Sequence, residues 1–178
     1  MFRALSSWTR AWRVPILLGA VGTLLVAFVV PATWCNSTWD DLTEENYSLA
    51  WDQWNRNAPS DYDIEVKVRG RQPAVYRVEV RGGLARQAFR NGAPLKSVRT
   101  FETWSAPGMF ETVGTDLEHL VLVARGQAGP RTPRLTVLVE FDETYGFPRR
   151  YLRVERAGSS GNPEVHWEVL EFTPLDGG

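Results

Sequence analysis

The carboxylates Asp61, Asp63 and Glu65 recur at every second position, so on a strand they share one face. A row of that kind could serve acid–base chemistry or hold Ca²⁺. Lysine and arginine alternate into the same rows, however, and the expectation is a solvated strand face. His119 follows Asp116 and Glu118, too few convergent groups for a metal ligand set, and is expected to be a solvated helix residue. His166 lies between Val165 and Trp167, out of phase with both, and should face solvent or the second side of a sheet. Arg149, Arg150, Arg153 and Arg156 would divide between two strand faces. The chain has no G-x-S-x-G turn and no glycine-rich loop opening a helix to cradle phosphate. The single cysteine, Cys35, allows no internal disulfide and no thiolate metal site. These residues predict no catalytic group, no metal and no cofactor.

The stretch from Phe141 to Pro148 (FDETYGFP) is the most specified turn in the chain. Asp142 can accept hydrogen bonds from backbone amides two residues on, and Gly146 can supply a positive φ. Pro148 can open the next strand at a place where a missing donor is allowed. Tyr145 and Phe147 would pack on opposite sides. Asp142, Tyr145, Gly146, Phe147 and Pro148 are thus expected to build a hairpin, with a ligand site as the alternative.

The elements that would position these residues follow from periodicity. A helix is expected from about Trp39 to Asn57, with Asn36 to Thr38 as capping residues and acids in its first turn. The period then becomes two, with Tyr62, Ile64, Val66 and Val68 in one strand and Tyr76, Val78 and Val80 in the next. Gly82-Gly83 signals a hairpin, followed by a strand through Leu84 to Phe89 and a turn at Asn91-Gly92. The stretch from Lys96 to Ser105 is ambiguous. A second helix after Pro107-Gly108 would carry Phe110, Val113, Leu117, Leu120 and Val121 on one face. Three more strands would use Leu135 to Phe141, Tyr151 to Glu155, and Val165 to Val169, the last two separated by a turn-rich loop from Ala157 to Pro163. Short connections without crossover helices imply an antiparallel sheet. The predicted fold is α+β: about five to six strands with two helices on one face, preceded by one transmembrane helix.

That membrane segment is Val14 to Trp34, a charge-free run of 21 residues. As a helix it would span roughly 30 Å, the thickness of a bilayer's hydrocarbon core. Arg3, Arg10 and Arg13 precede it, and no acid occurs before Asp40. The positive-inside rule therefore keeps residues 1–13 in the cytoplasm and exports residues 35–178 as one domain. A cleaved signal peptide is the competing expectation, but the run is longer than the usual ~7–15 apolar residues and lacks an A-x-A site. Gly19 and Thr23 have the spacing of a helix-dimerising pair, which chance in a small-residue segment also explains. The exported part carries more acid than base, so it has no basic stripe for nucleic acid.

Several of these motifs carry a resemblance. The residues from Phe141 to Pro148 look like the Y-D-x-x-x-G-[YF]-P signature of the domain of unknown function 6174 family, uncharacterised bacterial exported proteins and lipoproteins. Trp51, Trp54 and Asp61-Tyr62 resemble that family's entry into its first strand. Val78 to Gly83 resembles its V-x-V-x-x-G hairpin, and Met109-Phe110 its second helix. The chain departs from the pattern in having Phe141 for the common Tyr, and no cysteine between Arg69 and Pro73. The resemblance implies export and a small α+β domain, and no chemistry.

The function expected from the sequence is a non-catalytic binding module at the outer face of a bacterial cytoplasmic membrane. It would be anchored there by its N-terminal helix, with an envelope protein or peptide as partner. The alternatives are a small envelope hydrolase using the Asp61, Asp63 and Glu65 row, or a structural accessory subunit of an envelope assembly.

Overall fold

The computed structural model describes residues 39–70, 72–130, 132–156 and 164–175. The run from Val14 to Trp34, Cys35, the caps at 36–38 and the loop at 157–163 lie outside the described residues. Among the described residues no helix is long and apolar enough to cross a membrane.

The order of elements is β1 (Asp40–Asp41), α1 (Glu44–Asn57), β2 (Tyr62–Arg69), β3 (Ala74–Arg81), β4 (Leu84–Arg90) and β5 (Ala93–Pro94). There follow α2 (Val98–Thr103), α3 (Ala106–Ala124), β6 (Arg134–Phe141), β7 (Pro148–Arg156) and β8 (Glu164–Pro174). The strands form one antiparallel sheet in the order β1-β6-β7-β8-β2-β3-β4-β5. Two meanders, β2–β4 and β6–β8, are joined where β8 pairs with β2 along nearly the whole length of β2. The α+β architecture and the antiparallel sheet are those the sequence predicts, but the sheet has eight strands. The additions are the two-residue edges β1 and β5, too short to show any periodicity.

Local chemistry sets the boundaries. α1 begins at Glu44, not Trp39, because Thr43 is its cap: the Thr43 hydroxyl accepts from the Asn46 amide at 3.1 Å, and Asn46 Oδ1 accepts from the Thr43 amide at 2.9 Å. Glu44 and Glu45 then sit in the first turn, where the helix dipole favours them. α2 resolves the ambiguous stretch as a short helix pinned by Phe101, which is buried. Ser105 caps α3, and its hydroxyl also donates to the Glu102 carbonyl at 2.7 Å. Both central residues of the β3–β4 hairpin, Gly82 and Gly83, have positive φ, the geometry that matches strand twist. Asn91 and Gly92 repeat it after β4.

All three helices pack on one face of the sheet. Ala50 and Trp54 of α1, Phe101 of α2, and Ala106, Met109, Phe110 and Val113 of α3 meet Ile64, Val66, Val78, Val139, Tyr151 and Trp167. Full burial of each large apolar side chain contributes on the order of 1.5–3 kcal/mol. At one end of this core Trp54 meets Tyr62, Phe147 and Phe172 at ring-centroid distances of 5.8–6.4 Å. At the other, Trp104 stacks on Tyr76 at 4.8 Å and Tyr151 on Trp167 at 3.9 Å, with Trp104 edge-on to Trp167. α1 and α3 touch where α3 has a glycine: a Cβ on Gly114 would lie 2.7 Å from the Tyr47 hydroxyl.

Burial on α3 stops at Val113. Leu117, Leu120 and Val121, expected to continue the buried face, are only half-buried.

Candidate functional site

α2 and α3 meet in a sharp elbow, and a groove opens between the elbow, α3, the middle of β7 and the start of β8. Its volume is about 570 Å³, and its walls include Glu102, Glu111, Asp116, Tyr151, Arg153 and Val165. The elbow depends on Gly108, where a Cβ would collide with the Glu102 carbonyl. It depends also on the Tyr62 hydroxyl, which accepts from the Ala106 amide at 3.2 Å. Burial pushes the Tyr62 phenol up to about 12, so that hydroxyl stays neutral in its place.

Asp116 lies on the groove wall and accepts from the Tyr151 hydroxyl and from Arg153 Nε, the latter at 3.2 Å. Burial raises the Tyr151 phenol far above its ordinary value, and the neighbouring Asp116 carboxylate pushes the same way. Tyr151 is therefore a fixed donor. Arg153 is matched twice, since its Nη2 also reaches Glu155 at 3.2 Å. Glu102 and Glu111 are exposed at the rim and have no ion-pair partner among the described residues. Thr112 and Thr115 donate to carbonyls of their own helix. Among the described residues the groove thus offers carboxylate and hydroxyl acceptors, its one cation is already balanced, and its lining contains no Ser, Cys, His or Lys. It can receive a positive charge or a cluster of N–H donors.

The residues singled out from sequence do not converge on this groove. Asp63 lies on the opposite face of the sheet, held by Arg81 at 2.8 Å and Arg77 at 3.7 Å. Glu65 is on that face too, beside a hollow of about 330 Å³ that also includes Arg77 and Glu171. Asp61 leaves the row: its carboxylate accepts from the Gly82 amide at 2.6 Å and closes the β3–β4 hairpin. Arg150 reaches Glu140 at 3.1 Å and Glu168 at 3.8 Å, Arg149 reaches Glu140 at 3.7 Å, and Arg69 reaches Glu168 at 3.3 Å. These ion pairs share the second face with Leu138 and Leu152, which pair across β6 and β7. Only Arg153, of the four arginines considered, points to the helices.

His166 is on the second face, edge-on to Trp39 with ring centroids 5.5 Å apart. Burial, and then the Arg69 charge, lower its pKa. His119 is not freely solvated: it is half-buried, and its Nε2 donates to the Pro133 carbonyl at 3.0 Å, tying α3 to the approach to β6. Among the described residues no group of three or more His, Cys, Asp or Glu is placed to hold a metal ion.

The turn from Asp142 to Pro148 connects β6 to β7. Asp142 Oδ1 accepts from the Thr144 and Tyr145 amides at 3.0 and 2.8 Å, and the Gly146 amide donates to the Asp142 carbonyl at 2.9 Å. Gly146 has φ +84°, and a Cβ there would strike the Ala50 carbonyl of α1. From the same helix Gln53 donates to the Glu143 carbonyl, and Asn57 to the Thr144 carbonyl at 2.9 Å. Tyr145 and Phe147 do not part to opposite sides. Both rings converge on Phe172, at 5.1 and 4.5 Å, because the turn is clamped between α1 and β8. Pro148 is fully buried. The turn presents backbone to α1 and rings to the core.

Sequence reasoning missed the groove. Its signal was the spacing of Glu111 and Asp116 along one helix with Glu102 just before it, readable only once the elbow at Ser105 is known. Comparison of the chain with protein-family models, with curated proteins and with solved structures finds no match.

Proposed function

We propose that the chain is a membrane-tethered, extracytoplasmic binding module without catalytic activity, whose groove receives a positively charged segment of an envelope protein or peptide. The groove beside α3 carries this reading. It is concave, and among the described residues it holds one fixed carboxylate on its wall, two carboxylates without an ion-pair partner at its rim, and one cation, which is neutralised. Unpaired carboxylates at a rim steer a cationic partner and set specificity. Export is supported by the charge-free run from Val14 to Trp34 with arginines on its N-terminal side alone.

The test is site-specific photocrosslinking of the full chain in native membranes. A photoreactive residue at Thr115, exposed on the groove, should trap a partner that the same residue at Leu84 does not. Glu102→Gln with Glu111→Gln should weaken that capture several-fold, and added salt should weaken it in the parent. Equal capture at Thr115 and Leu84, or capture indifferent to both carboxylates, would overturn the reading.

A further inference from the structure

One cross-strand row on the second face runs through Asp41, Leu138, Leu152, His166 and Arg69, from β1 across β6, β7 and β8 to β2. The helices cover the opposite face, yet Leu138, Leu152 and His166 are all half-buried. Trp39 supplies the cover. It precedes β1 at the sheet edge and belongs to no helix or strand. Its ring nevertheless meets His166 edge-on at 5.5 Å, although β6 and β7 lie between β1 and β8. At about 4.8 Å per strand that edge is about 14 Å from β8, so an indole that reaches His166 lies across the two leucines.

We propose that Trp39 and His166 form an acid-released clasp: the indole is seated over Leu138 and Leu152 while His166 is neutral, and it lifts when His166 takes up a proton. A seated indole keeps water from the imidazole, and a ring screened from water is costlier to charge. Burial, and then the Arg69 charge, hold His166 below its ordinary pKa; Glu164 and Glu168 pull it upward, and Arg150 lowers it again. Lys67 of β2 and Glu140 of β6 share the face as the register partners of Glu168 and Arg150, and Asp41 ends the row at β1. Glu168 is already shared between Arg69 at 3.3 Å and Arg150 at 3.8 Å, which makes it a weak partner for an imidazolium. The seated state therefore binds a proton less well than the open one. Falling pH shifts the population to the open state and exposes the two leucines. The clasp requires neither the tether nor the groove.

Histidine NMR reads the clasp directly, because the chain has two histidines, His119 and His166, and His166→Gln assigns their signals. In the full chain in detergent micelles, Trp39→Ala should raise the His166 pKa toward its ordinary value, and Trp39→Phe should keep part of the parent's depression. A second readout is the reactivity of Leu152→Cys in a Cys35→Ser chain toward a dithiodipyridine, divided by that of Leu84→Cys in the same background, a position 57% exposed. At about pH 7.5 that ratio should be several-fold lower with Trp39 than with Trp39→Ala, and at about pH 5 the two should converge. Adding His166→Gln should preserve the protection at acid pH. A His166 pKa that Trp39→Ala leaves in place or lowers overturns the clasp. So does a position 152 that Trp39 does not protect, or whose protection acid fails to relieve or relieves equally in His166→Gln.

Discussion

Gly146 carries two constraints at once. Its φ of +84° excludes most side chains, and the α1 backbone is so close that the Trp54 amide nitrogen would lie 3.1 Å from a Cβ. Gly146→Val should therefore destabilise by more than the about 1–3 kcal/mol of backbone strain alone, lowering the Tm by several degrees. Asp142→Ala loses local hydrogen bonds from Thr144 and Tyr145 and should cost less, about 0.5–1.5 kcal/mol. Circular dichroism melts measure both. If both variants melted like the parent yet lost a partner, the turn would be a recognition site. A second residue-scale effect concerns pH. His166 is held below its ordinary pKa by burial and by Arg69, against the opposing pull of Glu164 and Glu168. The unfolded chain then binds the proton more readily, so stability is complete above the unfolded value of about 6.5 and declines as pH falls from there through the folded pKa. His166→Gln should flatten the Tm against pH between about 7.5 and 5.5. An unchanged slope would place the acid sensitivity elsewhere.

The helices and strands show where sequence patterns suffice. β2, β3, β6 and β7 were legible because alternation reports a sheet with one buried face, and here the second face is filled with the ion pairs of Asp63, Arg81, Glu140 and Arg150. Each such surface pair stabilises by only about 0–1 kcal/mol, so the pattern signals burial more than binding. The start of α1 was not legible, because its capping box uses Asn46 where the common pattern has Glu or Gln. Trp39, which reads as a first helical residue, instead packs on His166. Thr43→Ala should cost about 0.5–2 kcal/mol in a chemical denaturation experiment, whereas Ser37→Ala, within the segment whose residue types suit a cap, should leave the midpoint unchanged. Equal losses in the two variants would return the cap to the earlier position. The groove was illegible for a different reason. It is made by the elbow at Ser105 and Gly108, and no periodicity encodes the angle between two helices.

At the scale of the whole folded unit, the pairing of β8 with β2 matters most. It closes two meanders into one sheet with a single helical layer, and with Cys35 as the chain's single cysteine this unit is held without an internal disulfide. On the tethered reading, the apolar run before this unit decides where it sits. On that reading, three arginines before Val14, no charge through Trp34 and the first acid at Asp40 favour insertion with the N-terminus inside, by the positive-inside bias. A reporter active only outside the cytoplasm should therefore be active when fused after Gly178. Reversing the bias, by Arg3→Glu, Arg10→Glu and Arg13→Glu together with two lysines in place of Asn36 and Ser37, should sharply reduce that activity. Retention separates from export in the same strain. If the run is an anchor, the mature chain keeps residues 14–34 and resists alkaline carbonate extraction. A mature N-terminus between Thr33 and Ser37 would remove the anchor while leaving export in place. An active reporter in the charge-reversed chain would remove the topology argument itself.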